Sequence, residues 1–266
     1  MTDWSTGCCK TNGINIHFAR TGGNRPPIIL LHGLTGNGAC WTEVARELEG
    51  DYDVIMPDAR GHGSSREPAT GYQYEDHAND VVGLIKALQL PPATLIGHSM
   101  GGMTAALVAS QHPELLRCLI LADPTFLSLD LQRQVRESDA ADQHRRYLTM
   151  SFEEIAAEAR IKHPNRSMES IELIARARLQ TSIHAFEVLT PPNPDYMQVV
   201  SAIKTPTLLV FGGPTGVVSP AVAAELQRIN PRLQVAQIPE AGHGLHYDHP
   251  GRFAAIVKSF LYSNNF

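Results

Sequence analysis

The stretch LIGHSMGG, residues 95–102, is a turn between two kinds of structure. It sets Gly97, Ser99 and Gly101 in the pattern G-x-S-x-G, after the apolar end of ATLIG and before the helical segment MTAALVAS, residues 103–110. A sharp strand-to-helix turn of this kind holds its serine in a strained conformation. Glycines on either side let backbone approach backbone, which side chains would prevent. The Ser99 hydroxyl then stands clear at a helix N-terminus, whose dipole favours developing negative charge. The plain alternative is an ordinary N-cap serine.

Outward from this turn, short runs rich in Ile, Leu and Val alternate with longer segments of helical period, which predicts a parallel sheet covered by helices. PPIILLHG (26–33), DVIMPD (53–58), ATLIGHS (93–99) and CLILAD (118–123) read as buried strands, and GINIHFAR (13–20) as an antiparallel edge strand. TPTLLVFGG (205–213) and LQVAQIP (233–239) resume the series. Trp41, Val44, Ala45 and Leu48 share one helical face, and Val81, Leu84, Ile85 and Leu88 another. Both faces belong on the sheet.

Residues 126–203 interrupt the strands and read as a helical cap inserted into a core made of residues 1–125 and 204–266. Ser151 and Glu154 have the spacing of a capping box. The segment from Ser167 to Leu189 reads as the longest helix of the cap, stopped by the prolines of TPPNPD. Nine basic and eleven acidic side chains are spread through the cap, which reads as solvated surface with no bias toward an anionic substrate.

The chain has 266 residues, 43% of them hydrophobic, enough for one large core. A formal charge of −5 and an isoelectric point near 6.2 exclude nucleic acid and anionic membrane as natural partners and leave a small-molecule substrate. MTDWSTGCCK lacks the pattern of a signal peptide, and no apolar run approaches the ~20 residues that span a bilayer, so a cytoplasmic location is expected. Cys8, Cys9, Cys40 and Cys118 have neither zinc nor redox spacing and read as reduced thiols. The oligomeric state stays open.

LLHG (30–33), PDARGHGSS (57–65), LIGHSMGG and AGH (241–243) occur in this order along the chain. Through them nearly the whole sequence resembles the α/β-hydrolase superfamily. The resemblance implies an α/β fold with a mostly parallel, doubly wound, eight-stranded sheet and an inserted helical cap. It also implies Ser99 as nucleophile and His243 as base, with the backbone N–H groups of Leu34 and Met100 forming an oxyanion hole, each worth ~3 kcal/mol. Asp58 and Gly61 are expected to shape structure only. His243, His246, Asp248 and His249 together invite a metal reading, but their spacing matches no zinc signature, so neither metal nor cofactor is expected. His62, His98 and His144 read as structural or solvated.

The orienting acid is the difficulty. In most relatives it follows the strand after the cap, in a pattern like Gly-x-x-Asp, whereas FGGPTGVVSP (211–220) puts Thr215 there. An active triad needs a carboxylate, because its loss lowers the rate by ~10⁴. Asp123 ends the strand that follows the nucleophile's helix, lies between Ser99 and His243 in the chain, and sits at the end of the sheet where ligand groups gather. A minority of the superfamily, some haloalkane dehalogenases among them, keeps its acid at this place. The competing view of Asp123 is a turn residue helped by Pro124. Asp195 and Glu187 lie within the cap, and Glu240 and Asp248 flank His243 too closely to reach its ring easily.

The implied reaction is acyl transfer, with Ser99 attacking, His243 moving the proton, Asp123 orienting it, and water resolving the acyl-enzyme. A small carboxylic ester is the expected substrate. Amide, lactone or carbon–carbon bonds are the alternatives, together with a non-catalytic ligand receptor or a lyase like hydroxynitrile lyase. The cap aromatics Phe126, Tyr147, Phe152, Phe186 and Tyr196 either line an apolar pocket or pack the cap.

Overall fold

In a computed structural model, residues 4–264 are described. The eight strands are β1 (Ser5–Thr11), β2 (Ile14–Arg20), β3 (Pro27–Leu31), β4 (Asp53–Pro57), β5 (Ala93–His98), β6 (Leu116–Ala122), β7 (Thr207–Phe211) and β8 (Leu233–Gln237). They form one sheet in the order β1-β2-β4-β3-β5-β6-β7-β8. β2 runs antiparallel to both β1 and β4, and the pairs from β4 to β8 are parallel. This is the expected α/β class with a mostly parallel, eight-stranded sheet.

The central strands are apolar throughout because both of their faces are covered. In β3, Ile28 and Leu30 enter one core cluster while Ile29 and Leu31 enter the other. The helices up to the end of β6 are α1 (Thr42–Leu48), α2 (Tyr74–Ala87) and α3 (Met100–Gln111). Trp41, Val44, Ala45 and Leu48 pack on the Ile28 face, and Val81, Leu84 and Ile85 on the Ile29 face, with Leu88 at its margin. α11 (Pro250–Ser263), at the end of the chain, joins α1 on the Ile28 face through Phe253, Val257 and Phe260. Burying these aliphatic and aromatic side chains contributes roughly 1.5–3 kcal/mol each.

β1 is the strand that hydropathy does not announce. STGCCKT is small and polar and mostly exposed, and it pairs only with β2, so it needs no apolar face.

Between β6 and β7 lie α4 (Leu129–Glu137), α5 (Ala140–Leu148), α6 (Phe152–Lys162), α7 (Met168–Leu179) and α8 (Tyr196–Ala202). Ser151 and Glu154 close the expected capping box, with Ser151 N donating to Glu154 Oε2 at 2.8 Å and Glu154 N to Ser151 Oγ at 3.2 Å. The single helix expected from Ser167 to Leu189 is instead two pieces, since α7 stops at Leu179 and a 3-10 turn covers Ile183–Leu189. Ser182 makes the break. Its N–H donates to the Gly61 carbonyl at 2.8 Å, while its hydroxyl accepts from His184 N at 3.0 Å. α8 packs against α3, and its Val199 and Val200 join the Ile29-side core. Two further helices, α9 (Pro220–Ile229) and α10 (Leu245–Asp248), follow β7 and β8.

Candidate active site

Ser99 sits one residue beyond β5, at φ 53° and ψ −118°, a left-handed backbone that a serine adopts only under local constraint. Its carbonyl accepts from Gly102 N at 2.9 Å and Thr125 N at 3.1 Å, which locks the turn. The glycines are required sterically. A Cβ on Gly97 would be driven into the Gly101 carbonyl oxygen, and one on Gly101 into the Leu31 carbonyl oxygen.

Asp123 follows β6 directly, is fully buried, and has a φ of 42°, which a short polar side chain tolerates. Its Oδ2 accepts from Val217 N at 2.8 Å and its Oδ1 from Val218 N at 2.9 Å. Both donors belong to the FGGPTGVVSP turn after β7. The turn that carries Thr215 therefore cradles the carboxylate of the neighbouring strand.

His243 bridges the two. Its Nδ1 lies 2.6 Å from Asp123 Oδ2 and its Nε2 lies 2.9 Å from Ser99 Oγ. A carboxylate oxygen can only accept, so Nδ1 carries the proton and Nε2 is left to accept from the serine hydroxyl. The arrangement can move a proton from Ser99 to His243 while a negative charge faces the resulting imidazolium. Thr125, which no sequence motif marks, places its hydroxyl 3.3 Å from Ser99 Oγ.

The His243 loop is braced from beneath. His98 Nε2 donates to the His243 carbonyl at 2.8 Å, so its other nitrogen, buried and without a hydrogen-bond partner among the described residues, is the bare one. Burial, reinforced by the neighbouring His243, holds the His98 imidazole well below the ordinary histidine range. Asp248 accepts from Gly242 N at 3.0 Å and Arg166 Nε at 2.8 Å. His246 is buried and stacks on Trp41 with centroids 4.1 Å apart. Burial depresses its pKa strongly as well.

The other acids have separate partners. Glu240 pairs with Arg252 at 2.7 Å, Glu187 with His184 at 3.2 Å, and Asp195 caps α8 by accepting from Met197 N at 3.0 Å. Asp58 accepts from Gly38 N at 2.7 Å and Ser64 N at 2.9 Å, the structural role expected of it. His62 is buried between the Arg60 and Leu34 carbonyls, and His144 bonds the Thr181 carbonyl at 2.9 Å.

Leu34 and Met100 flank Ser99 on the β3 and α3 sides. Among the described residues neither N–H has an internal acceptor, as the first residue of a helix lacks one by construction. The Leu34 loop is held by His62 at the Leu34 carbonyl and by Gly36 N, which donates to the Gly33 carbonyl at 2.9 Å.

A cavity of about 800 Å³ opens above Ser99 and His243, walled on the far side by α5, α6 and α7. Tyr147 lines it, whereas Phe126, Phe186 and Tyr196 pack in or against hydrophobic clusters or stack on other rings. Lys162, Arg166 and Arg178 also line this cavity. Composition alone suggests no such gathering of positive charge.

A family model described as alpha/beta hydrolase fold matches residues 26–250. The chain belongs to the α/β hydrolase fold family. It is 28% identical over 255 residues to a 2-(acetamidomethylene)succinate hydrolase of Mesorhizobium japonicum, covering 91% of this chain and 90% of the relative. It is 30% identical over 270 residues to an N-formylmaleamate deformylase of Pseudomonas putida, covering 96% of both. The solved structure of E-2-(acetamidomethylene)succinate hydrolase superposes with a TM-score of 0.84 at 24% identity, over 97% of this chain and 99% of that one. Its relatives over nearly the whole length are hydrolases, and this chain is an enzyme of that class. No helix among the described residues is long and apolar enough to cross a membrane.

Proposed function

We propose that the chain is a serine hydrolase that cleaves a small carboxylic ester or related acyl bond through Ser99, His243 and Asp123. The observation that carries this reading is the unbroken hydrogen-bonded path from Ser99 Oγ through both nitrogens of His243 to Asp123 Oδ2. Ser99 Oγ attacks the scissile carbonyl carbon while His243 Nε2 takes its proton. The carbonyl oxygen becomes an oxyanion and receives the N–H groups of Leu34 and Met100. Collapse of this intermediate expels the alcohol, which leaves with the proton from Nε2. Water, deprotonated by the same nitrogen, then frees the acid and restores Ser99. Residues 126–203, which hold α4 to α8, act as the cap that shields these steps from bulk solvent. No step calls for a cofactor.

Thr215, standing where most relatives keep the acid, gives a non-catalytic receptor little support beside an Asp123 whose carboxylate is bonded by three N–H groups. An N-acyl bond is the second reading, favoured by relatives whose names specify an acetamido compound and a deformylase. Turnover of 4-nitrophenyl acetate and labelling by an alkyl phosphonate, both lost in Ser99→Ala, are the expected results. A native protein that neither turns over nor is labelled overturns the reading.

A further inference from the structure

Three cations line the cavity over Ser99, and they differ in how their charge is met. Lys162 Nζ donates to Glu158 Oε1 at 2.7 Å and to the Tyr147 hydroxyl at 3.2 Å. Arg166 Nε donates to Asp248 Oδ1 at 2.8 Å and its guanidinium lies over the Tyr247 ring. Arg178 has no carboxylate within 4.0 Å among the described residues. Glu158, the acid nearest in influence, is already held by Lys162, Tyr147 and Arg146.

Arg178 is nonetheless well placed. It is half-buried on α7, its guanidinium carbon lies 4.5 Å from the centroid of the Tyr147 ring, and its Nη2 donates to Thr35 Oγ1 at 3.3 Å. That single bond engages one of five N–H donors. The contact with the Tyr147 ring holds the guanidinium against one wall of the cavity. Burial lowers the Arg178 pKa, the direction expected of a cation drawn from water without a counter-charge. A side chain that is partly desolvated, oriented and unpaired in the substrate cavity is arranged to meet an anion there.

We infer that Arg178 is a carboxylate-binding residue and that the substrate is an acyl compound bearing a second, anionic group. This rests on the acyl-hydrolase reading above and specifies its substrate class. Arg178 bonds Thr35, whose backbone directly follows Leu34, so the guanidinium and the Leu34 N–H border the same cavity. Arg166 and Lys162 are each met by a carboxylate, so the local excess that a charge count over the whole cap misses is the charge of Arg178.

The test compares two esters of equal length, ethyl hydrogen succinate and its neutral analogue ethyl levulinate, by pH-stat. The native protein is expected to prefer the anionic ester in kcat/KM, with the preference shrinking as salt is raised. In Arg178→Gln the ratio of the two kcat/KM values is expected to fall ~10- to 100-fold, chiefly through KM, and Arg178→Lys to recover part of it. A ratio cancels general damage to the site. Succinate binding to Ser99→Ala, followed by calorimetry with and without Arg178→Gln, supplies a readout that needs no turnover. Hydrolysis of both esters with no discrimination, and no Arg178-dependent succinate binding, overturns the anion site while leaving the hydrolase standing. Arg178-dependent binding of succinate, with neither hydrolysis of either ester nor phosphonate labelling of Ser99, supports the site and refutes the serine hydrolase.

Discussion

Replacing Asp123 by asparagine keeps the side-chain volume, removes one charge and sets a donor where the fold supplies only donors. The carboxylate accepts three N–H groups, from Val217 at 2.8 Å, Val218 at 2.9 Å and His243 Nδ1 at 2.6 Å. An amide offers one accepting oxygen, so its NH2 must face at least one of these donors. With the NH2 at the Oδ2 position, it opposes both Val217 N–H and His243 Nδ1–H. The imidazole then moves its proton to Nε2, which donates to Ser99 Oγ and no longer accepts from it. With the NH2 at Oδ1, only Val218 N–H is opposed and the tautomer survives, but no negative charge remains to stabilise the imidazolium. The expected fall in kcat is ~10³- to 10⁴-fold, equivalent to ~4–5.5 kcal/mol of barrier. The opposed N–H lowers stability by ~1–3 kcal/mol, because a buried donor is left unmet. Initial rates on 4-nitrophenyl acetate beside thermal melts separate the two effects. Thr215→Ala, with no bond to His243, is the control and is expected to change kcat by less than about threefold. An Asp123→Asn rate within tenfold of the native one, or a larger loss in Thr215→Ala, refutes Asp123 as the orienting acid.

Two further outcomes concern stability. Gly97→Ala sets a Cβ against the Gly101 carbonyl, so β5 and α3 must separate; a loss of ~3 kcal/mol and a Tm lower by ~6–12 °C is expected, and an unchanged melt refutes the steric argument. Burial pushes His32 and His62 down to about 4 from the ordinary 6.5, and depresses His77, His98 and His246 as well. Above pH ~6.5 these groups are neutral in both states and neutral pH stability is unaffected. Below it the unfolded chain binds protons that the folded chain refuses, so stability falls from pH ~6.5 toward pH 4, by about 3 kcal/mol for His32 alone. Urea midpoints that do not fall between pH 7 and pH 4.5 contradict this account.

Much of the sheet was legible because the central strands are covered on both faces, and continuous apolar runs such as PIILL are the direct trace of that burial. β1 escaped notice because an edge strand with exposed side chains leaves no such trace. The helix expected across Ser167–Leu189 failed at a tertiary contact, since the Ser182 N–H turns to the Gly61 carbonyl in a distant loop. Periodicity reports which residues are able to form a helix. It cannot report a competing acceptor 121 positions away in a chain of 266 residues.

For the site, Ser99 was marked by its glycines, whose spacing is dictated by the close approach of backbone to backbone, a local requirement written in adjacent residues. His243 was marked by resemblance alone, and Asp123 by its place at a strand end among five competing acids. What separated Asp123 from the others is the sheet order, which sets β6 between β5 and β7. That order brings its carboxylate to His243 across 120 residues and to the N–H groups of Val217 and Val218 across 94 and 95. The role of FGGPTGVVSP as a cradle, the brace from His98, and the isolation of Arg178 have the same origin. Strand period, glycine contact and turn stereochemistry act over a few residues and can be read along the chain, whereas the partner of a buried charge is chosen by which loops the sheet sets side by side.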